Sequence, residues 1–119
     1  MDEHRKDERK RLMAFTPVYD SQRKTVLGYL GDLSMQGAML IGEQPMEVNT
    51  KMTLEIDFPS TPEFPARHVR IPARVAWCRQ EENTQYFNTG FEFLKIDQMY
   101  KAFIEAILER YQFRRETLD

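Results

Sequence analysis

The chain has 119 residues, of which 41% are hydrophobic and 12% aromatic, enough for one domain around a single core and too few for two. Its formal net charge of -2 argues against a broad basic face that grips nucleic acid, so any anion site must be local. No apolar run approaches the roughly 20 residues that cross a bilayer, and the charged N-terminus lacks the apolar region of a signal peptide. We therefore expect a cytoplasmic protein with no membrane insertion.

Residues 1–11 are predicted to form a flexible arm, because they contain almost nothing apolar beyond Met1. Five basic residues in this arm are largely offset by four acidic ones, so its bulk attraction for anions is weak. The remaining residues, 12–119, are predicted to form the single domain.

Six strand patterns follow the arm. The first two, joined by a polar turn, predict a hairpin, and the later ones show the alternation of half-buried strands. The predicted strands span residues 12–19, 26–33, 38–41, 52–58, 69–77 and 87–93. Pro72 interrupts the donor pattern of the fifth strand and indicates an edge or a bulge.

The C-terminal region changes to helical period, with Asp97 as the predicted N-cap of a helix over residues 97–115. Its apolar stripe consists of Tyr100, Phe103, Ile104, Ile107, Leu108 and Tyr111. Six short antiparallel strands followed by one helix predict a mainly β protein, namely a six-stranded antiparallel β-barrel with a C-terminal α-helix that covers one end.

Catalytic chemistry finds little support in the sequence. Cys78 is the only cysteine, which excludes an intramolecular disulfide and a multi-thiolate metal cluster. His4 and His68, the only histidines, are assigned to the arm and to a loop, so neither a catalytic dyad nor a metal site is indicated. We expect no enzyme, no metal and no cofactor.

Two short segments instead suggest a site for an anionic guanine ligand. Arg5 and Arg9 form an RxxxR pair, and Asp32, Ser34 and Gly37 form a DxSxxG segment between two strands. Guanidinium groups suit phosphate oxygens and the O6 and N7 acceptors of guanine. The opposite guanine edge carries N–H donors that need an acceptor such as a carboxylate, and glycine permits close approach.

These segments resemble the two signatures of the PilZ domain family, RxxxR and (D/N)xSxxG. The run Gly90-Phe91-Glu92-Phe93 also resembles the last barrel strand of that family, so nearly the whole chain is covered. The resemblance implies a small β-barrel that binds cyclic di-GMP, a bacterial second messenger. It also implies a downstream protein partner in motility, biofilm formation or exopolysaccharide production.

The resemblance assigns a role to each residue of the two segments. Arg5 and Arg9 are expected to contact phosphate and guanine, with Arg11 as an additional candidate because the basic cluster continues to that position. Asp32 is expected to accept from guanine N–H groups. Two further contributions are expected in the same segment: a hydroxyl bond from Ser34 and clearance at Gly37.

Plainer interpretations stand beside these. Asp32, Ser34 and Gly37 are also typical of a tight turn, and the arginines of a solvated arm. Trp77 falls in register with an apolar row, which favours a core or rim position over base stacking. Arg70 and Arg74 lie on the opposite face of that strand.

Two other functions remain open at this stage. One is a PilZ-like interaction module that binds no nucleotide. The other is a small barrel that binds single-stranded nucleic acid, which the net acidity of the chain disfavours.

Overall fold

The structure, a computed structural model, describes residues 11–13 and 15–113. Within them the chain forms eight strands and one helix. The elements are β1 (Arg11–Leu12), β2 (Pro17–Asp20), β3 (Val26–Leu33), β4 (Gly37–Gly42), β5 (Lys51–Phe58), β6 (Arg67–Gln80), β7 (Phe87–Phe93), α1 (Gln98–Arg110) and β8 (Tyr111–Gln112). No helix in these ranges has the length and apolar content needed to span a bilayer.

Strands β2 to β7 form a closed antiparallel barrel in the order β2-β3-β4-β7-β6-β5. The pairing of β2 with β5, with Val18 opposite Ile56, closes it. Closure leaves these six strands without an unpaired edge along the barrel wall. The predicted fold class, a six-stranded antiparallel barrel with a C-terminal helix, is confirmed.

The inward side chains of the barrel form one apolar core. Along β5, Leu54 and Ile56 are fully buried, and Ile71 and Val75 of β6 are buried in the same way. Pro72 lies one residue before the first pair between β6 and β7, which joins Ala73 to Phe93. The missing N–H of the proline therefore falls where β6 pairs with β5 alone, as its position in the sequence predicted.

Helix α1 covers one end of the barrel. The Asp97 side chain accepts a hydrogen bond from the Met99 backbone N–H at 2.8 Å, which confirms the predicted N-cap. Phe103, Ile104 and Ile107 are buried, and the ring of Phe103 lies 5.3 Å from that of Phe58, edge to face. The helical stripe therefore packs onto the end of the core.

The helix ends earlier than the sequence predicted. Residue 111 is extended, with φ -134° and ψ 152°, and pairs in parallel with Arg11. Extended backbone keeps Tyr111 and Phe113 both buried, which alternation achieves and a continued helix does not. The Met13 N–H donates to the Gln112 carbonyl at 2.7 Å and fixes this pairing. Positions 114 and 115 of the predicted helix lie outside the described residues.

The predicted first strand, residues 12–19, is in fact two short strands. Phe15, between β1 and β2, has a φ of 58°, which no β-strand accommodates. The strand that precedes it pairs with β8, and the strand that follows pairs within the barrel. Arg11 consequently belongs to β1 rather than to the arm.

We expect Ile104→Ala to lower the free energy of unfolding by about 2 to 5 kcal/mol, because it leaves a cavity where a fully buried side chain joins the helix to the barrel. Chemical denaturation monitored by circular dichroism measures the change. The matched control is Met99→Ala, since Met99 lies on the same helix with 66% of its surface exposed. Equal stability of the two variants would contradict this account of the helix.

Candidate functional site

The DxSxxG segment is the connection between β3 and β4. The Ser34 N–H donates to the Gly37 carbonyl at 2.9 Å, and the Ser34 hydroxyl oxygen accepts from the N–H groups of Gln36 and Gly37, each at 3.2 Å. The turn predicted by the plainer interpretation is therefore present. Ser34 makes the hydrogen bonds that form this turn, and Asp32 lies just before it, as the second-to-last residue of β3.

A β-bulge turns Asp32 towards solvent. Leu30 pairs with Leu40, but the next pair joins Asp32 to Met39, so Gly31 is an extra residue in β3. Leu30 and Leu40 are buried in the core. Strict alternation from Leu30 would point Asp32 inward with them, and the inserted residue reverses its direction. The carboxylate is consequently exposed on the outer face of the barrel.

A second bulge acts in the same way on β6. Val75 pairs with Phe91, and the next pair joins Trp77 to Gly90, so one residue of β6 is extra. Val75 and Phe91 are buried, whereas Trp77 is 38% exposed. The apolar register of Trp77 with Val75 predicted a core or rim position. The bulge places its ring on the outer face instead.

The two bulges lie at the ends of one cross-strand row. We call this row the outer strip: Asp32 on β3, Met39 on β4, Gly90 on β7 and Trp77 on β6. A Cβ on Gly90 would lie 2.2 Å from the Trp77 Nε1 atom, so the indole rests directly on this glycine. The Arg79 guanidinium lies 5.0 Å from the Trp77 ring centre. The outer strip therefore carries a hydrogen-bond acceptor at Asp32 and an apolar ring at Trp77, and the Arg79 cation lies over that ring.

The row beside the outer strip is already engaged in ion pairing. Gly37 pairs with Glu92, which pairs with Arg74. Arg74 donates from Nε to the Glu92 carboxylate at 3.2 Å and from a terminal nitrogen to the Asn49 side-chain oxygen at 2.8 Å. Arg70 lies elsewhere and donates to Glu55 at 2.8 Å. Neither arginine is directed at the strip.

The side chain of Asn88, near the outer strip, has a hydrogen-bond acceptor without a donor. Asn88 pairs with Ile41 on β4 and with Arg79 on β6, and it lies two positions before Gly90 on β7. Its side-chain oxygen is buried and has no hydrogen-bond partner. Such a group costs stability when it stays unsatisfied, and an N–H donor that reached it would recover that cost.

Gly37 is required by strand pairing. A Cβ at this position would lie 2.1 Å from the Phe91 backbone oxygen on β7. The described glycines have no positive φ, so conformational freedom is not what selects glycine here. The space at Gly37 that was expected to admit a ligand is therefore occupied by the backbone of β7.

We expect Gly37→Ala to destabilise the fold by about 1 to 3 kcal/mol, because backbone cannot move aside as a side chain can. Gly31→Ala is the matched control. Its Cβ would meet only the ends of the Met39 and Ile41 side chains, each at 3.0 Å, which are free to shift. Thermal unfolding compares the two. A larger loss in the Gly31 variant would contradict the structural role of Gly37.

The sequence-predicted arginines are not all brought to the turn. Arg5 and Arg9 lie outside the described residues. Arg11 forms an ion pair with Glu63 and lies 5.2 Å from the ring centre of Tyr111, whose hydroxyl donates to Glu63 at 2.6 Å. The hydrogen bonds from Tyr111 and Arg11 hold the pKa of Glu63 below its usual value. In this structure Arg11 joins β1 to the end of the helix.

A separate charged cluster surrounds Glu55, which lies on the outer face of β5 yet is buried. It accepts from the Ser21 hydroxyl at 3.1 Å and lies 3.1 Å from the His68 Nε2 atom and 3.7 Å from the Lys24 Nζ atom. Burial acts to raise the pKa of Glu55, but these hydrogen bonds and charges, with Arg70, outweigh it and lower the pKa. The carboxylate therefore stays ionised.

His68 bridges two carboxylates. The sequence placed it in a loop, but it belongs to β6, because the strand begins at Arg67 and pairs His68 with Asp57. The hydrogen bond that His68 donates to Asp57 is the largest cause and raises the pKa of His68; burial opposes it, and Glu55 adds to the increase. The described residues contain no group of three or more His, Cys, Asp or Glu arranged to hold a metal ion.

We expect the stability of the protein to fall as pH rises through the pKa of His68. A raised pKa in the folded state stabilises the protein fully below the unfolded value of 6.5 and loses that contribution above the folded value. His68→Gln removes this dependence between about pH 6 and pH 8. Denaturant titrations across that range measure it. An unchanged pH slope in the variant would contradict the assignment.

The closed barrel, its helical cover and its bulged outer strip define the class of small β-barrel binding domains. The chain belongs to the PilZ domain family, whose model matches residues 3–110. This is a family of binding and effector domains, generally receptors for cyclic di-GMP. The matched range includes the RxxxR and DxSxxG segments of this sequence, of which positions 5 and 9 precede the described residues.

A solved structure with a similar fold is the inhibitor of motility MotI/DgrA of Bacillus subtilis. The TM-score is 0.67 at 14% sequence identity, and the likeness covers 83% of this chain and 48% of that one. At this identity the likeness concerns the fold, and the chain spans about half the length of that protein. No match was found among curated protein sequences.

Proposed function

We propose that this PilZ domain is a bacterial receptor that binds cyclic di-GMP on the outer strip, with the arginine segment folding over the ligand. The observation that carries the proposal is the direction of Asp32. A bulge points the carboxyl side chain of Asp32 outward just before a fixed turn, where strict alternation would place it in the core.

Each part of the strip suits one part of the ligand. The Asp32 carboxylate accepts from the N–H donors of a guanine edge. Ser34 donates only weakly to the Gly37 carbonyl, at 3.4 Å, so its hydroxyl proton is available to the ligand. The Arg79 guanidinium, which lies over the Trp77 ring, offers the base a planar stacking surface and a phosphate a positive charge.

The arginine segment completes the site. One residue separates Arg9 from Arg11, the first residue of β1, so the chain can span at most about 7 Å between their Cα atoms. Closing the segment over a ligand costs roughly 2 to 5 kcal/mol of ordering. Several charge-assisted hydrogen bonds, each worth about 1.5 to 3 kcal/mol, exceed that cost. If Arg11 also contacts the ligand, its ion pair with Glu63 must first break.

The bound complex signals to a protein partner in motility, biofilm formation or exopolysaccharide production, and it acts in the cytoplasm. Binding changes the surface presented by the barrel and the arginine segment, which is all that an effector without catalysis requires. The likeness of the fold to an inhibitor of motility favours the first of these processes. Neither a metal nor a cofactor takes part.

The decisive experiment is a calorimetric titration with cyclic di-GMP. We expect Asp32→Asn to weaken binding at least tenfold, because a hydrogen bond to a charged acceptor contributes about 1.5 to 3 kcal/mol. Arg9→Ala should abolish measurable binding. Fluorescence of Trp77, the single tryptophan, reports the same event, because the ring lies on the strip.

The matched control is Glu82→Gln, which neutralises an exposed carboxylate in the loop between β6 and β7. It should bind as the unmodified protein does. Circular dichroism confirms that each variant is folded. Equal affinity of the Asp32 and Glu82 variants would refute the site.

A second function is favoured by one observation. Ser34 already satisfies its turn without a ligand, and Gly37 already serves strand pairing. A PilZ domain that works purely as an interaction module would keep the same residues. In that case the titration is flat, and capture of a partner protein survives loss of Arg5, Arg9 and Asp32.

A further inference from the structure

An apolar groove lies on the outer face of the barrel, beside the outer strip, with a volume of about 710 Å³. Such a volume falls in the ordinary range of small-ligand sites. Its walls include Leu12, Phe15, Tyr29, Ile41 and Tyr86. Phe15 is 81% exposed and Tyr29 is 47% exposed, and their rings meet edge to face at 6.3 Å. The groove therefore offers two aromatic faces to solvent.

The backbone holds Phe15 in this exposed position at a conformational cost. A φ of 58° is unfavourable for a residue with a Cβ atom, and an aromatic residue there is uncommon. The segments on either side are fixed, since the Met13 N–H donates to Gln112 and the Thr16 carbonyl accepts from Leu30 at 2.9 Å. A glycine would relieve the cost but would remove the ring.

The groove lies next to the outer strip along β3 and β4. Tyr29 pairs with Ile41, and only the inward pair of Leu30 and Leu40 lies between this pair and that of Asp32 and Met39. The ends of the Met39 and Ile41 side chains both lie over Gly31, so the surface between the two rows is apolar there. Tyr29 and Asp32 are three positions apart on β3, a distance of at most about 10 Å.

The charges of the groove decide which part of a ligand it takes. Among the described residues that line it, Glu43 is the only charged one. A lining that is otherwise apolar and carries one acidic group repels phosphate and accepts the N–H donors of a base. Aromatic faces also stack on purines regardless of their edges.

We propose that this groove binds the second guanine base of the dinucleotide whose first base contacts the outer strip. The inference rests on the proposed function. Phe15 and Tyr29 provide the stacking surface, and Glu43 accepts from the base at the rim. The phosphates then lie on the side of the outer strip, near Arg79.

Calorimetric titrations of cyclic di-GMP into Phe15→Gly and Tyr29→Leu test the proposal. We expect each variant to bind about tenfold more weakly, which is the scale of one base-stacking contact. Phe15→Gly should unfold no more easily than the unmodified protein, because φ of 58° suits glycine. Phe15→Tyr keeps the ring and should keep the affinity.

The control is Met99→Ser, since Met99 is an apolar residue on α1 that is 66% exposed, and the variant should leave the affinity unchanged. In addition, nuclear Overhauser contacts between guanine H8 and the Phe15 ring should appear in the complex. Unchanged affinity in both aromatic variants, with no such contact, overturns the proposal while the receptor function stands. If the unmodified protein binds no cyclic di-GMP, the receptor function fails and the groove proposal with it.

Discussion

The register of the closed barrel is the constraint on which the site depends. In a closed sheet each strand has two neighbours, so one residue cannot slip without disturbing both pairings. The two bulges, next to Gly31 and next to Val75, insert a residue while the pairs beyond them resume. They reverse which side chains face out. The core continues beyond the first bulge, since Leu33 and its partner Ala38 are both buried.

Much of the fold is contained in the sequence. The period-2 patterns located all six barrel strands, and the switch to helical period located α1 with its cap at Asp97. The end of the helix was wrong because Tyr111 satisfies both patterns: it continues the apolar stripe of α1, and it is equally buried as the first residue of β8. Only its partner, Arg11, distinguishes them, and that pairing is not local.

The candidate site was less accessible to sequence reasoning. The DxSxxG segment identified the turn, but the same alternation that located β6 assigned Trp77 to the wrong face. A bulge carries no strong residue signal on β6, whereas Gly31 gives a weak one on β3. Phe15 was hidden for a similar reason, since an aromatic residue between strand-forming neighbours predicts strand. Long-range register, rather than local preference, determined both.

The pairing of β1 with β8 joins residues from opposite ends of the described chain, Arg11 with Tyr111 and Leu12 with Gln112. During synthesis β1 has no partner until all six barrel strands and α1 have been made, because β8 follows them in the chain. Loop closure over such a separation is slow compared with hairpin formation. Leu12, which forms part of the groove wall, is therefore among the last residues to be placed. A nascent chain acquires its barrel before it acquires a complete groove wall.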